Sequence, residues 1–195
     1  MKTASERCGF FWDLIMDKIG ICGAGLIGAS WAIGFANAGF KCFVYDKSED
    51  SSTKFKSLAN KLIQDLRIIN PEIDEEKINS NIKLNCTIEE TCKDSILVQE
   101  SVLEDLELKK SVFEQLDKLS PENTIIASSS SYLLISRISE LVKHKHRCIN
   151  AHPALPPHIV PFVEVSGSEK TSPKIIREAV SIYKNCLLYT SDAAD

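Results

Sequence analysis

Three glycines spaced as G-x-G-x-x-G follow an apolar run near the start of the chain, and they constrain the fold more than any other feature. The run "KIGICG" at 18–23 has the composition of a buried strand, and Gly23, Gly25 and Gly28 lie where a helical pattern begins. After a strand, the first glycine permits a tight turn, the second lets a ligand approach the backbone, and the third lets the helix pack on the sheet. The motif predicts a β–α–β unit that binds a dinucleotide.

Short β-rich runs alternate with helical patterns along the rest of the chain. Six strands are predicted, at residues 18–23, 41–46, 82–86, 95–100, 124–129 and 147–152. Strands that alternate with helices form a parallel sheet, and right-handed crossovers wind it in two directions from the first strand. The sequence therefore predicts an α/β fold of the Rossmann type with a doubly wound parallel sheet.

Two helical stretches are amphipathic. Between the fourth and fifth strands, apolar residues recur at helical spacing, namely Leu108, Val112, Leu116 and Leu119. Three charged residues of the same stretch are expected to face water, namely Lys109, Glu114 and Lys118. In the stretch 48–70, one face is predicted to carry Leu58, Leu62, Leu66 and Ile69.

An acidic residue after the second strand indicates which dinucleotide is bound. Asp46 lies 18 residues past Gly28, where a carboxylate would accept hydrogen bonds from the adenosine ribose and repel a 2′-phosphate. The helix start at Leu26 and Ile27 supplies free N–H groups to the pyrophosphate. These features predict NAD as the cofactor. The alternative is that the glycines only form a turn and Asp46 only caps the next helix.

Composition excludes several classes of partner. The net charge is -4, and the densest basic run, "KHKHR" at 143–147, is short and lacks interleaved aromatic residues, so nucleic acid is not expected as a partner. No apolar run approaches the roughly 18 residues that a membrane helix needs, so no membrane association is expected. Seven cysteines, an odd number without close pairs, fit a reducing compartment and predict a cytoplasmic location.

Four segments together resemble a known family: "GAGLIGASWAIGFANAGF", "VQESVLEDLELKKSVFEQLD", "SSSSYLL" and "AHPALPPHIVPFVEV". They resemble the N-terminal NAD domain of the 3-hydroxyacyl-CoA dehydrogenase family, and most closely its lambda-crystallin branch, whose enzymatic member is L-gulonate 3-dehydrogenase. The resemblance implies an NAD-dependent oxidoreductase that interconverts a 3-hydroxy acid or 3-hydroxyacyl-CoA and its 3-oxo form, as a homodimer at full length. The alternatives are a dehydrogenase of fatty acid metabolism and a non-catalytic, NAD-binding protein of the lambda-crystallin kind.

The resemblance also implies the catalytic residues. In the family, a glutamate twelve residues after a histidine orients it, and a serine twenty-one residues before it binds the substrate oxygen; here these are Glu164, His152 and Ser131. Oxidation of a secondary alcohol requires a group that takes the hydroxyl proton, and imidazole can do so at neutral pH. A carboxylate on the other ring nitrogen fixes the tautomer. The prolines between the two residues are expected to preorganise the pair.

Two further groups of polar residues could carry a function. Glu100 and Lys109 fall where the family's "E…E-x-L-x-x-K" segment borders the nicotinamide, and the alternative for them is helix capping and a solvated face. A set of four residues could be drawn as a zinc site, namely His144, His146, Cys148 and His152. Alternate residues of a strand share one face, but the sequence places no carboxylate beside them to complete the set of zinc ligands. No metal site is therefore predicted.

The chain departs from the family pattern at two places, in the proline-rich segment and at its end, and its first residues are expected to lie outside the domain. The family carries an asparagine before proline where this chain has Leu155, and a leucine side chain cannot form a hydrogen bond. Residues 1–15 are expected to be a non-native or disordered leader, before an NAD-binding domain at 16–185. Residues 186–195, "CLLYTSDAAD", can be back-translated into a sequencing-adapter sequence and are expected to be a non-native tail. The C-terminal helical domain of the family is expected to be absent from this sequence.

Overall fold

The computed structural model describes residues 17–186 and, as backbone, residues 189–192. The predicted leader at 1–15 lies outside the described residues, as does part of the predicted tail at 186–195. The assignments of these two segments therefore stay predictions.

The described chain alternates strands and helices. The strands are β1 (Lys18–Cys22), β2 (Lys41–Tyr45), β3 (Ile82–Lys83), β4 (Ser95–Glu100), β5 (Ile125–Ser128), β6 (Cys148–Pro153), β7 (Phe162–Ser166) and β8 (Tyr189–Asp192). The α-helices are α1 (Leu26–Ala38), α2 (Ser51–Ile69), α3 (Glu75–Ser80), α4 (Ile88–Cys92), α5 (Leu106–Leu119), α6 (Ile135–Ile138) and α7 (Pro173–Asn185). A short 3-10 helix spans Lys145–Arg147. Among the described residues, no helix is long and apolar enough to cross a membrane.

The strands form one sheet in the order β3-β2-β1-β4-β5-β6-β7-β8. The strands from β3 to β6 are parallel, with the chain order reversing at β1, so the predicted doubly wound Rossmann-type sheet is confirmed. The sheet continues beyond the six predicted strands, because β7 pairs antiparallel with β6 and β8 pairs parallel with β7. The six predicted strands are all parallel, and the two added strands, which the sequence did not predict, bring in an antiparallel pair. The proline-rich segment reverses the chain without a crossover helix, and such a connection permits only antiparallel pairing.

Apolar residues cover both faces of the sheet. In β1, Ile19 and Ile21 belong to one buried cluster and Cys22 to the other. Successive residues of a strand point to opposite faces, so a strand between two helical layers is apolar throughout. This explains why the strands of this chain appear as continuous apolar runs.

The two amphipathic helices bury most of the predicted apolar residues, but the centre of each buried face is shifted. In α5 the buried residues are Lys109, Phe113, Leu116 and Asp117, whereas Leu108 is 38% exposed. In α2 they are Phe55, Ala59, Leu62 and Ile63, and Ile69 is exposed. Lys109 was wrongly expected to face water. It is buried because carboxylates behind the helix pair with its charge, a contact that helical periodicity cannot show.

Candidate active site

The glycine loop between β1 and α1 lies at the carboxyl edge of the sheet and is shaped by close backbone contacts. Gly23 has a φ of 104°, and a Cβ there would lie 2.6 Å from the Ser101 carbonyl oxygen. A Cβ on Gly28 would lie 1.9 Å from the Gly23 carbonyl oxygen, whereas one on Gly25 would meet no atom within 4 Å. Packing therefore requires two of the glycines, and the third leaves open space above the backbone. This is the cradle that a pyrophosphate needs.

The start of helix α1 is open toward this space. Gly25 is the N-cap and provides no side-chain hydrogen bond, and the Gly25 carbonyl accepts the Ala29 N–H at 2.8 Å. The preceding N–H groups, those of Leu26, Ile27 and Gly28, have no intrahelical acceptor at such an end. They and the helix dipole favour an anion at this position.

Asp46 lies at the end of β2, beside the glycine loop. Its Oδ2 accepts the Ala24 N–H at 2.7 Å, and its Oδ1 accepts the Ser48 N–H at 2.8 Å. It does not cap α2, whose N-cap is Asp50. With Gly23 and Gly25 it lines a cleft of about 780 Å³, which has the position expected for the adenosine half of a dinucleotide. The residues present therefore fit NAD.

The predicted histidine and glutamate face each other across two paired strands. In the antiparallel register of β6 and β7, His152 lies opposite Glu164. Directly opposite residues share one face of a sheet, and His152 Nδ1 lies 3.8 Å from Glu164 Oε2. The side chains are 35% and 50% exposed. The distance is that of an ion pair rather than of a direct hydrogen bond.

A smaller pocket brings the histidine and the predicted serine together. It has a volume of about 240 Å³, and its lining includes Ser131, His152 and Leu155. Leu155, the departure from the family pattern, is exposed and therefore lies at the site itself. Ile27 and Lys109 line the same pocket, so it adjoins the start of α1.

Glu100 and Lys109 form a buried ion pair behind this pocket. Lys109 Nζ lies 2.8 Å from Glu100 Oε1, and the side chains are 1% and 0% exposed. Glu100 also accepts the Val102 N–H and the Ser128 hydroxyl, each at 2.7 Å. The solvated face considered for Lys109 is therefore wrong, as is the helix cap, because Asp105 caps α5. Lys109 lines the pocket, whereas Glu100 lies behind Lys109 and holds its side chain in place.

A second glutamate, missed by the sequence reasoning, connects this pair to the serine loop. Glu104 Oε2 lies 3.2 Å from Lys109 Nζ, and its Oε1 accepts the Ser131 N–H at 3.1 Å and the Ser130 hydroxyl. It lines the same pocket as His152. The signal was present, since Glu104 opens the "E-x-L-x-x-K" match that ends at Lys109.

The two glutamates differ in their electrostatics. Burial raises the pKa of Glu100, although Lys109 and its hydrogen bonds oppose the shift. Burial also acts to raise the pKa of Glu104, but the Ser130 hydrogen bond and the charge of Lys109 outweigh it and hold that pKa below its ordinary value. Glu104 is therefore an anion at neutral pH, as a hydrogen-bond acceptor for the serine loop must be.

Two of the residues considered for zinc, His144 and Cys148, have other contacts. His144 Nδ1 lies 3.1 Å from Asp117 Oδ1, and the same carboxylate binds Arg147 at 2.7 Å. Cys148 is buried in the core. Within residues 17–186, no group of three or more His, Cys, Asp or Glu side chains is arranged to hold a metal ion.

Comparison with known proteins places this chain in a family. The model of the 3-hydroxyacyl-CoA dehydrogenase NAD binding domain matches residues 18–187. A lambda-crystallin homolog from Mus musculus is 35% identical over 167 residues, covering 84% of this chain and 52% of that protein. An L-carnitine dehydrogenase from Nocardiopsis dassonvillei is 30% identical over 162 residues, covering 83% of this chain and 49% of that protein. The chain spans about half the length of these relatives.

Solved structures show the same fold. A (S)-3-hydroxybutyryl-CoA dehydrogenase from Ralstonia eutropha superposes with a TM-score of 0.83 at 23% identity, covering 90% of this chain and 62% of that one. A diketoreductase superposes with a TM-score of 0.83 at 24% identity, covering 90% of this chain and 63% of that one. The family, its lambda-crystallin branch and the NAD cofactor predicted from the sequence are confirmed. The chain belongs to the 3-hydroxyacyl-CoA dehydrogenase family and carries its NAD-binding domain.

Proposed function

We propose that the chain is the cofactor-binding part of an NAD-dependent dehydrogenase that interconverts a 3-hydroxy acid and its 3-oxo form. The observation that carries this proposal is the position of His152, which faces Glu164 across a strand pair and shares a pocket with Ser131. The pocket adjoins the glycine loop, so a reacting carbon near His152 would lie within reach of a dinucleotide bound there.

In this proposal His152 is the general base. As the carbon–hydrogen bond of the alcohol breaks, the hydroxyl proton moves to an imidazole nitrogen and the oxygen forms the carbonyl. Bound NAD supplies the acceptor for the hydride. In the reverse direction the same imidazolium returns the proton to the oxygen.

Glu164 and Ser131 position the reacting groups. Glu164 lies on the Nδ1 side of His152, which leaves Nε2 for the substrate, and its charge stabilises the imidazolium that forms. The Ser131 hydroxyl is exposed to the pocket and would donate to the substrate oxygen. Glu104 holds the backbone of Ser131 and so sets the direction of this donor.

A free 3-hydroxy acid of the L-gulonate type is the proposed substrate. Similarity to lambda-crystallin homologs and to L-carnitine dehydrogenases supports it, because carnitine is itself a free 3-hydroxy acid. A 3-hydroxyacyl-CoA is the second candidate, supported by the family that the NAD-binding model describes. The full-length protein is proposed to be a cytoplasmic homodimer, and the buried free thiols among the described cysteines are consistent with a reducing compartment.

The test is NADH formation by a full-length form carrying the helical domain that the family resemblance implies. L-gulonate, L-carnitine and 3-hydroxybutyryl-CoA would be compared, with His152→Gln as the inactive control. Turnover of a free acid that His152→Gln abolishes would support the proposal, and preference for the thioester would move the protein to the second candidate. NAD binding without turnover of any of the three would favour the non-catalytic, lambda-crystallin-like alternative.

A further inference from the structure

A buried polar network leads from helix α7 to the point where the two clefts meet. It contains Tyr183, Gln99, Trp31 and Ser129, and it ends at Ser101. Ser101 lines both the cleft above Gly25 and the pocket that contains His152. The proposed roles of the histidine, glutamate and serine leave this network unused.

The direction of the first hydrogen bond follows from its length. The Tyr183 hydroxyl lies 2.5 Å from Gln99 Oε1, which is at the short end of the range for O–H···O and below the range for N–H···O. Tyr183 is fully buried. If the amide were turned to donate to the phenol, the phenol proton would lose this acceptor. Tyr183 therefore donates, and the amide nitrogen of Gln99 points toward Ser129.

The next step fixes the hydroxyl of Ser129. Its Oγ receives Gln99 Nε2 at 2.8 Å and Trp31 Nε1 at 3.1 Å, and both of these nitrogens can only donate. A hydroxyl oxygen has two lone pairs, and both are then used. The Ser129 proton must go to its remaining partner, Ser101 Oγ, at 2.8 Å.

The last proton is left for a ligand. Because Ser101 Oγ accepts from Ser129, its own proton points elsewhere, and no other side-chain acceptor for it is found among the described residues. The chain of aligned donors polarises this hydroxyl and makes it a stronger donor. Gly25 and Asp46 lie on the adenosine side of Ser101, and His152 lies on the other side.

We propose that the Ser101 hydroxyl donates a hydrogen bond to an oxygen of the nicotinamide nucleoside of NAD, meaning the nicotinamide and its ribose, and that the network from Tyr183 sets its direction. A dinucleotide with its adenosine at Asp46 and its nicotinamide near His152 would pass Ser101 where the nicotinamide part begins. This assignment deepens the proposed dehydrogenase site, but it depends only on NAD binding and not on turnover.

Calorimetric dissociation constants for NAD and for ADP, which keeps both phosphates but lacks the nicotinamide and its ribose, test the proposal on the 195-residue chain. Ser101→Ala should weaken NAD by about 3- to 10-fold and leave ADP unchanged, as for the loss of one hydrogen bond. Tyr183→Phe keeps the ring that packs 5.4 Å from Trp31 and removes only the first donor, so it should weaken NAD by a smaller factor of about 2 to 4. Ser139→Ala, which removes a buried hydroxyl at the C-cap of α6, is the matched control and should change neither constant.

Three results would overturn the proposal. Unchanged NAD affinity in Ser101→Ala would show that the hydroxyl makes no such bond. Equal weakening of NAD and ADP binding would show that Ser101 only supports the glycine loop. Wild-type NAD affinity in Tyr183→Phe would show that the network does not affect the Ser101 hydroxyl. Failure of the dehydrogenase proposal gives a different result. The full-length form would then turn over none of the tested substrates, while Ser101→Ala would still weaken NAD and leave ADP unchanged.

Discussion

Replacing Lys109 with methionine should destabilise the fold strongly, because it leaves a buried carboxylate without its counter-charge. Glu100 has no exposed surface, and Lys109 Nζ lies 2.8 Å from it. After the substitution Glu100 keeps two donors, the Val102 N–H and the Ser128 hydroxyl. Removal of one partner from a buried pair costs about 3 to 5 kcal/mol, and the two remaining hydrogen bonds place this case near 3 kcal/mol.

Urea unfolding measures this loss. With a slope of about 2 kcal/mol per molar urea for a domain of this size, the midpoint should fall by roughly 1.5 M. Lys110→Met is the matched control, because the neighbouring lysine pairs with Glu107 and Glu140, whose side chains are 78% and 55% exposed. Exposed pairs contribute about 1 kcal/mol or less.

The loss should also depend on pH. Burial raises the pKa of Glu100 in the folded protein, with Lys109 opposing the shift, so the substitution raises it further. A carboxyl whose folded pKa exceeds its unfolded value binds protons better when folded. Its contribution to stability is present below the unfolded pKa, near 4.3, and is lost as pH rises through the folded pKa. The difference between Lys109→Met and wild type should therefore be smaller at pH 5 than at pH 8.

The double variant Glu100→Gln/Lys109→Met, together with the two single variants, forms a double-mutant cycle. It removes both charges and should recover a large part of the stability lost in Lys109→Met. A loss of unfolding free energy in Lys109→Met no larger than that in Lys110→Met, or an equal loss at both pH values, would contradict a buried charge as the cause.

Three further predictions concern function. Asp46→Asn should weaken NAD and narrow the ratio between the NADP and NAD dissociation constants, and an unchanged ratio in titrations would remove Asp46 from the ribose site. In a full-length form, His152→Gln should lower kcat by about 100- to 10,000-fold with little change in the NAD dissociation constant, whereas equal losses would make His152 structural. The 195-residue chain should bind NAD in calorimetry without turnover, because His152 and Glu164 are open to water; clear NADH formation would show that this site needs no cover.

Local patterns in the sequence were sufficient for much of the fold. The glycine spacing, the strand before it and the acidic residue after the next strand predicted the cradle above Gly25 and the position of Asp46 beside it. Such features depend on neighbours within one β–α–β unit, so the order of residues largely determines them. The family resemblance added His152, Glu164 and Ser131, which local pattern alone did not distinguish from structural residues.

Contacts between distant segments were decided only by the tertiary structure. The antiparallel pairing of β6 and β7 places His152 opposite Glu164, and their spacing in the chain does not reveal a shared register. Helical periodicity assigned Lys109 to water, because periodicity describes one helix and not the carboxylates packed behind it. Glu104 binds Ser131 across 27 residues for the same reason. The energy of a buried charge depends on which partners the fold brings within about 3 Å, and no stretch of sequence contains both members of such a pair as neighbours.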